Sequence, residues 1–344
     1  MQEHAVHSKT LLRASTLGRA LTAACPGAYG LALTIVFLLA MVWNLRMHSI
    51  LACPAARYSP EYYLAYCQAD GYGDYDHGAL WLDLEPGVRR GVEAAQVLFL
   101  GNSRLEFGFS GQSTSDWFAR RHISYYLLGF GYAENFTFAR ELFKRYSTSP
   151  RFVVINADRF FEDAETLPTR SLKSGDTIAP RYLAKRRWQS LHREICQRVP
   201  SVCRDEYAIF RSRLSGAYVI QGHEEGAWPG DVTYDDEFDH WPTDGPAAMP
   251  VALGERFLQT LHVDRDCVVV TMVPSPRTEL GVGRSIAAGL GVQFVAPEVP
   301  GLRTFDGSHL DPPSAERWSS VFLKEIEPAV RKCVGRGNYA AAQN

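Results

Sequence analysis

Neither sign of charge dominates this chain: 36 Lys and Arg stand against 38 Asp and Glu, a formal net charge of -2. Without a positive excess there is no long-range pull toward nucleic acid, and no basic run is interleaved with stacking aromatics as single-strand binders require. Metal-binding signatures are equally scarce. The seven cysteines include no Cys-x-x-Cys pair and no paired His accompanies them, while His223 and His240 lie near several Asp residues with no regular element to fix their geometry. No metal or organic cofactor is expected. The third absence is local: from Ala20 to Leu45 there is no Asp, Glu, Lys, Arg or His.

That uncharged stretch contains Leu31-Ala32-Leu33-Thr34-Ile35-Val36-Phe37-Leu38-Leu39-Ala40-Met41-Val42-Trp43, nearly continuous hydrocarbon with Trp43 and Arg46 suited to an interface. Its length predicts one transmembrane helix, residues 20–45. Lys9, Arg13 and Arg19 precede it and only Arg46 and Arg57 follow closely. The bias predicts a cytoplasmic tail over 1–19 and an inner-membrane anchor, with everything after it extracytoplasmic or periplasmic. Cysteine usage fits export: Cys53 and Cys67 flank one loop and Cys196 and Cys203 another, so two local disulfides are expected. Cys267 opens a strand-like run and reads as a small buried hydrophobe. Cys25 and Cys333 carry no assignment.

With 46% hydrophobic residues, the 344-residue chain has material for a large core. Residues 46–92, rich in Tyr, Gly and Asp without clear period, read as a juxtamembrane segment. From 93 to about 335, apolar strands alternate with amphipathic helices. Strands are predicted over 97–100, 125–128, 152–156, 268–273 and 292–295, and helices near 113–121, 135–146, 253–261 and 315–326. This alternation predicts an α/β fold: a flavodoxin-like three-layer sandwich with a central parallel sheet, preceded by the transmembrane helix. An insertion at about 160–249 interrupts it. There Ala184, Trp188, Leu191 and Ile195 recur at helical spacing, with Lys185, Arg186 and Arg193 elsewhere on the wheel. The acidic, aromatic stretch 222–245, with Trp228, Tyr234 and Trp241, has the length of a lid. Residues 336–344 form a flexible tail.

Two short stretches concentrate the chemistry. Val97-Leu98-Phe99-Leu100-Gly101-Asn102-Ser103-Arg104 is a strand that breaks at Gly and delivers a hydroxyl where a parallel strand ends. Ligands of open parallel sheets bind beyond those carboxyl ends. Asp306-Gly307-Ser308-His309-Leu310 puts a carboxylate and an imidazole three residues apart, just before Asp311-Pro312, which reads as an N-cap followed by Pro at the first helical position. Serine is a weak nucleophile without a base within hydrogen-bond reach, and the imidazole needs a third group to fix its tautomer. Ser103, His309 and Asp306 would fill those roles. The apolar stripe Trp318, Val321, Phe322 and Ile326 would dock the last helix and fix the loop carrying His309.

The strand-Gly-x-Ser start, the segment Leu128-Gly129-Phe130-Gly131, the strand ending at Asn156 and the late Asp-x-x-His together resemble the SGNH (GDSL-type) hydrolase superfamily. The resemblance runs from about Val97 to Leu323. It is nearest to the membrane-anchored branch that works on cell-surface polymers, such as alginate O-acetylation proteins and the D-alanyl transfer protein of teichoic acid synthesis. Gly101-Asn102-Ser103-Arg104 departs from the family's Gly-Asp-Ser-Leu. The resemblance implies an oxyanion hole from the backbone N–H groups of Ser103 and Gly131, with Gly129 a rival, and an Asn side chain as third donor. Asn156 is the candidate for the last, although Val154-Ile155-Asn156-Ala157-Asp158 lacks the usual Gly-x-Asn-Asp form. Asp158 would shape the pocket and Arg104 would meet a substrate carboxylate or pair with an acid.

The implied activity is transfer or hydrolysis of an O-acyl group, acetyl first among them, on a cell-surface or secreted polysaccharide. The implied partner is a multi-spanning membrane O-acyltransferase as acyl donor. A non-catalytic scaffold or binding component of a polysaccharide modification or export complex is the alternative.

Overall fold

The run Val97–Asn102 has every side chain buried, and so does Phe152–Asn156, which is what a strand covered on both faces requires. They lie at the centre of the computed structural model, which describes residues 26–47, 53, 59–68, 72–175, 178–200, 203, 207–222, 230–235 and 248–341. Helix α1 is Pro26–Met47, followed by β1 (Tyr62–Cys67), β2 (Gly73–Asp74), α2 (Asp76–Trp81) and α3 (Val88–Ala94). The next block is β3 (Val97–Asn102), α4 (Ser103–Phe109), α5 (Gln112–Arg121), β4 (Tyr125–Phe130), α6 (Phe136–Phe143) and β5 (Phe152–Asn156). Then come α7 (Leu167–Lys173), α8 (Ala179–Arg198), β6 (Ala208–Ser212), β7 (Tyr218–Gln221), β8 (Gly230–Asp231) and β9 (Tyr234–Asp235). The last block is α9 (Ala248–Leu261), β10 (Val268–Thr271), β11 (Thr278–Glu279), α10 (Leu280–Leu290), β12 (Gln293–Phe294), β13 (Arg303–Thr304) and α11 (Pro312–Ala341).

The main sheet has the order β12-β10-β5-β3-β4 and all its pairings are parallel. Numbered along the chain, that is 2-1-3-4-5, the doubly wound order in which the strand succession reverses between β3 and β5. Side-chain alternation along the strands divides the core. Leu98, Leu100, Val153, Ile155, Val268 and Val270 face one side, against Phe138, Phe257 and Ile286 of α6, α9 and α10. Val97, Phe99, Phe152, Val154 and Val269 face the other, against Phe109, Phe118, Trp318 and Phe322 of α4, α5 and α11. Each such side chain contributes about 1.5–3 kcal/mol by leaving water. The α/β class and central parallel sheet are as the strand and helix alternation predicted.

Three expectations need correction. Cys267 is not a lone hydrophobe: it is bonded to Cys333, clamping α11 to the entry of β10, while Cys53–Cys67 and Cys196–Cys203 pair as expected. On α11, Trp318, Leu323, Phe322 and Ile326 are fully buried but Val321 is 38% exposed, because the buried stripe drifts toward position 323 as it follows the sheet. On α8 the buried face is Tyr182, Lys185, Gln189, His192 and Cys196, while Leu191 is 60% exposed. That face meets backbone oxygens as well as hydrocarbon: Tyr182 packs into the core, while Lys185 donates to the Asp74 carbonyl and Gln189 to the Leu64 carbonyl.

A second sheet, order β2-β1-β6-β7 and antiparallel throughout, joins the segment before the parallel sheet to the middle insertion. Neither stretch was expected to hold strands of a second sheet. Helix α1 is apolar and every described side chain on it is exposed. Among the described residues, however, no helix is long and apolar enough to cross a membrane. The transmembrane helix expected over 20–45 is therefore unsupported among those residues. Cys25, Trp228, Trp241, His223, His240 and most of the expected lid lie outside the described residues.

Candidate active site

Asn102 ends β3 in extended conformation and caps α4, its side-chain oxygen accepting the Arg104 N–H at 3.0 Å. The chain therefore turns from strand to helix at Ser103, presenting the hydroxyl at the carboxyl edge beside the point where strand order reverses. The second segment is equally constrained. Asp306 Oδ1 accepts the backbone N–H groups of Ser308 (2.9 Å) and His309 (2.8 Å), a tight turn that Gly307 permits at φ +75°. Phe305 N–H donates to the His309 carbonyl at 3.0 Å, and Asp311 caps α11 through the Ser314 N–H at 2.8 Å.

Across 206 residues of sequence the two segments meet: His309 Nε2 lies 2.8 Å from Ser103 Oγ and His309 Nδ1 2.6 Å from Asp306 Oδ2. A carboxylate only accepts, so Nδ1 carries the proton and Nε2 is left to accept from the serine hydroxyl. Partial burial raises the Asp306 pKa, but the His309 hydrogen bond and charge and the two backbone N–H groups outweigh it and hold the carboxyl below its usual range. His309 is boxed by Phe107, ring centroids 4.5 Å apart, and by Phe305 at 5.8 Å. Neither ring was singled out from sequence, although Phe107 sits four residues after Ser103, one helical turn along the same face.

Gly131 and Gly129 differ in availability. In register, Gly129 pairs with Gly101 and Phe130 with Asn102, which brings Gly131 level with Ser103 at the sheet edge. A Cβ on Gly131 would meet nothing within 4 Å, so the space over this backbone is open. Gly129 is buried; its N–H donates to Glu106 Oε1 at 2.7 Å and a Cβ there would lie 2.6 Å from the Asn102 carbonyl. Its glycine serves close packing of β4 on α4, and it is neither an oxyanion donor nor a substrate contact.

Asn156 is fully buried and both ends of its amide are engaged: Oδ1 accepts the Val273 N–H at 3.1 Å and Nδ2 donates to Asn102 Oδ1 at 3.3 Å. It ties together the ends of β3, β5 and β10 instead of standing open as a third donor. Asn102, whose Nδ2 donates to Asp158 Oδ2 at 2.8 Å, and Arg104, paired with Asp158 at 3.0 Å, extend that bracket. Arg104 Nε also donates to Ser308 Oγ at 3.4 Å, linking the helix that Ser103 opens to the His309 loop. Arg104 and Asp158 thus hold one another, with 27% and 14% of their side chains exposed, and Asp158 lines a neighbouring pocket.

Below this edge lies a buried ionic cluster that sequence reading missed. Arg211 on β6, fully buried, pairs with Asp76 and with Glu106 at 3.0 Å and donates to the carbonyls of Leu127 and Gly129. Burial pushes the Glu106 carboxyl up to about 8, against the opposing pull of Arg211. The cluster fastens the second sheet to β4 directly under the Gly131 loop. No spacing signal announces it, since Asp76, Glu106 and Arg211 are far apart in sequence.

No protein-family model matches the chain, and no curated protein and no solved structure matches it. What the chain does must therefore be argued from its own residues.

Proposed function

We propose that this protein is an SGNH-type serine acyltransferase or esterase that moves an acyl group to or from a hydroxyl of a cell-surface or secreted polysaccharide. The Ser103–His309–Asp306 relay, closed at 2.8 and 2.6 Å, carries this reading. Ser103 Oγ attacks the acyl carbonyl carbon while its proton passes to His309 Nε2, and Asp306 stabilises the imidazolium. The N–H groups of Ser103 and Gly131 hold the tetrahedral oxyanion. As the carbon–oxygen bond to the donor breaks, His309 returns the proton to the leaving alcohol. A sugar hydroxyl or water then attacks the acyl-serine by the same route reversed, giving transfer or hydrolysis.

A sugar acceptor is supported by aromatic faces at the rim. Tyr132, 52% exposed, follows Gly131, and Tyr66 and Tyr207 meet edge to face at 6.2 Å. An extracytoplasmic setting is supported by three disulfides. Tethering to a membrane through α1 is supported by its uncovered hydrocarbon: Leu33, Phe37 and Trp43 are each 68–69% exposed, and an apolar helix facing nothing needs a nonpolar phase around it. A multi-spanning O-acyltransferase is the proposed acyl donor partner. The fully engaged Asn156 favours the second reading, a non-catalytic scaffold of a polysaccharide-modifying complex.

A fluorophosphonate probe and p-nitrophenyl acetate separate the two. Labelling and acetate release by the wild type, both lost in Ser103→Ala, are expected of the enzyme. An unlabelled wild type, with polymer acylation unaffected by the same change, would leave the scaffold.

A further inference from the structure

The outer face of α8 is charged almost entirely with one sign. Its inner face buries Tyr182, Lys185, Gln189, His192 and Cys196, which leaves Arg181, Arg186, Arg187, Arg193 and Arg198 exposed on the other side against a single acid, Glu194. Arg198 takes that acid, one turn back along the helix. Among the described residues, Arg181, Arg186, Arg187 and Arg193 have no carboxylate partner. A chain whose charges otherwise nearly cancel thus gathers unneutralised guanidinium groups on one helix.

The same face carries hydrocarbon. Leu183 is 40% and Leu191 60% exposed, and Val199, just past the helix end, is 47% exposed. At 3.6 residues per turn, Leu183, Arg187 and Leu191 fall in one row along the axis, and Arg186, Ser190 and Arg193 fall in the row beside it. A single exposed leucine is ordinary on any protein surface. Here, however, the helix sends Lys185 and Gln189 inward, to the Asp74 and Leu64 carbonyls, and leaves its two leucines outside between arginines. Such a distribution suits a helix whose outer side meets a boundary between anionic groups and hydrocarbon.

We propose that the outer face of α8 docks on a bilayer of anionic phospholipid, with the arginines at headgroup phosphates and Leu183 and Leu191 in the acyl boundary. Guanidinium is matched to phosphate by two parallel hydrogen bonds. Each basic residue held near such a surface strengthens attachment about fivefold. A soluble acidic polymer would satisfy the arginines and leave the leucines in water, so a lipid surface accounts for both. The docking goes beyond the acyl-serine reading and does not depend on it. With the uncovered hydrocarbon of α1, it would give the chain two separate contacts with one membrane.

The test uses the full chain with Cys25, the one cysteine outside the three disulfides, changed to Ser, and Ser190→Cys carrying a nitrobenzoxadiazole fluorophore on the arginine row. Vesicles of phosphatidylcholine and of phosphatidylglycerol are compared, each containing brominated lipid as quencher. On phosphatidylglycerol the fluorophore is expected to shift to the blue and to be quenched, and on phosphatidylcholine to stay as it is in buffer. Arg186→Glu, Arg187→Glu and Arg193→Glu together should lower the ratio of docked to undocked helix at least about a hundredfold. Leu183→Ser with Leu191→Ser should lower it about tenfold. Urea midpoints equal to the wild type assign those losses to the exposed face and not to the fold. A fluorophore that stays in water on phosphatidylglycerol while the chain sediments with the vesicles would overturn the docking, as would quenching that none of these changes moves. A chain that sediments with neither kind of vesicle would overturn the α1 tether as well. A blue shift produced by soluble polygalacturonate and not by phosphatidylglycerol would give the face to an acidic polymer instead.

Discussion

The chain carries the pattern Asp-x-x-His at two places, Asp74–His77 and Asp306–His309, and the comparison is instructive because the local geometry is nearly shared. In each, the carboxylate meets Nδ1 of the histidine three residues on, at 2.9 and 2.6 Å. The second nitrogen separates them. His309 Nε2 faces the Ser103 hydroxyl, with 17% of its side chain exposed. His77 Nε2 faces Glu134 at 3.2 Å, with 1% exposed. Burial alone would lower the His77 pKa, but Asp74 first and then Glu134 outweigh it and push the imidazole up to about 10. A histidine between two carboxylates is a fixed cation, whereas one between a carboxylate and a hydroxyl can take and return a proton.

The fixed cation has a structural task next to the site. Glu134 ends the loop that begins at Gly131 and passes through Tyr132 and Ala133, both at positive φ (62° and 51°). Such backbone persists only where its surroundings over-determine it. Glu134 supplies that restraint by accepting from Thr169 Oγ1 at 2.9 Å and from the Asn135 N–H at 3.0 Å as well as facing His77.

Changing each motif should therefore damage a different property. The largest effect belongs to Asp306→Asn, which leaves the His309 tautomer unfixed and should lower kcat on an ester substrate about 10⁴-fold. Its denaturation midpoint should barely move, and a midpoint that collapses with activity would make Asp306 structural. His77→Gln should do the reverse: removing the cation strands two carboxylates and costs about 3–5 kcal/mol of stability in urea titrations. If the variant unfolds at the wild-type midpoint, the buried-cation assignment is wrong.

The smallest effect is a pH slope. The folded His77 value of about 10 lies above the ordinary 6.5, so its stabilisation is complete below about pH 6.5 and is lost as pH rises through 10. Glu106 acts in the same direction, its folded value of about 8 lying above 4.5. Urea midpoints should decline from pH 7 to 10, and less steeply in His77→Gln. A midpoint that climbs over that range would contradict both.

Much of the fold was legible because it is encoded at short range. Short β-branched and aromatic apolar runs at Val97, Phe152 and Val268 read as strands buried on both faces, and helices between them favour parallel pairing. The Asp311 cap and Pro312 start of α11 were equally local. The second sheet was not legible. Its strands β1, β2, β6 and β7 come from two Tyr-, Gly- and Asp-bearing stretches whose pairing is made across more than a hundred residues and sealed by buried ion pairs, which leave no hydrophobic period to read. On α8 the period itself misled, since Lys185 and Gln189 are buried for their hydrogen bonds and not for their hydrocarbon.

At the site the division is sharper. By itself the sequence determined the chemical vocabulary: a hydroxyl at the end of a strand, a carboxylate and an imidazole one turn apart, and a glycine at the end of the neighbouring strand. Only the tertiary structure brought Asp306 and His309, already paired with Ser103 in the sequence reading, to 2.6 and 2.8 Å, and decided which glycine keeps its N–H free of a buried carboxylate and that Asn156 is spent holding three strand ends together. The reason is physical: an imidazole's role depends on what lies against its second nitrogen, and that neighbour is supplied by packing between segments, beyond the reach of any local pattern.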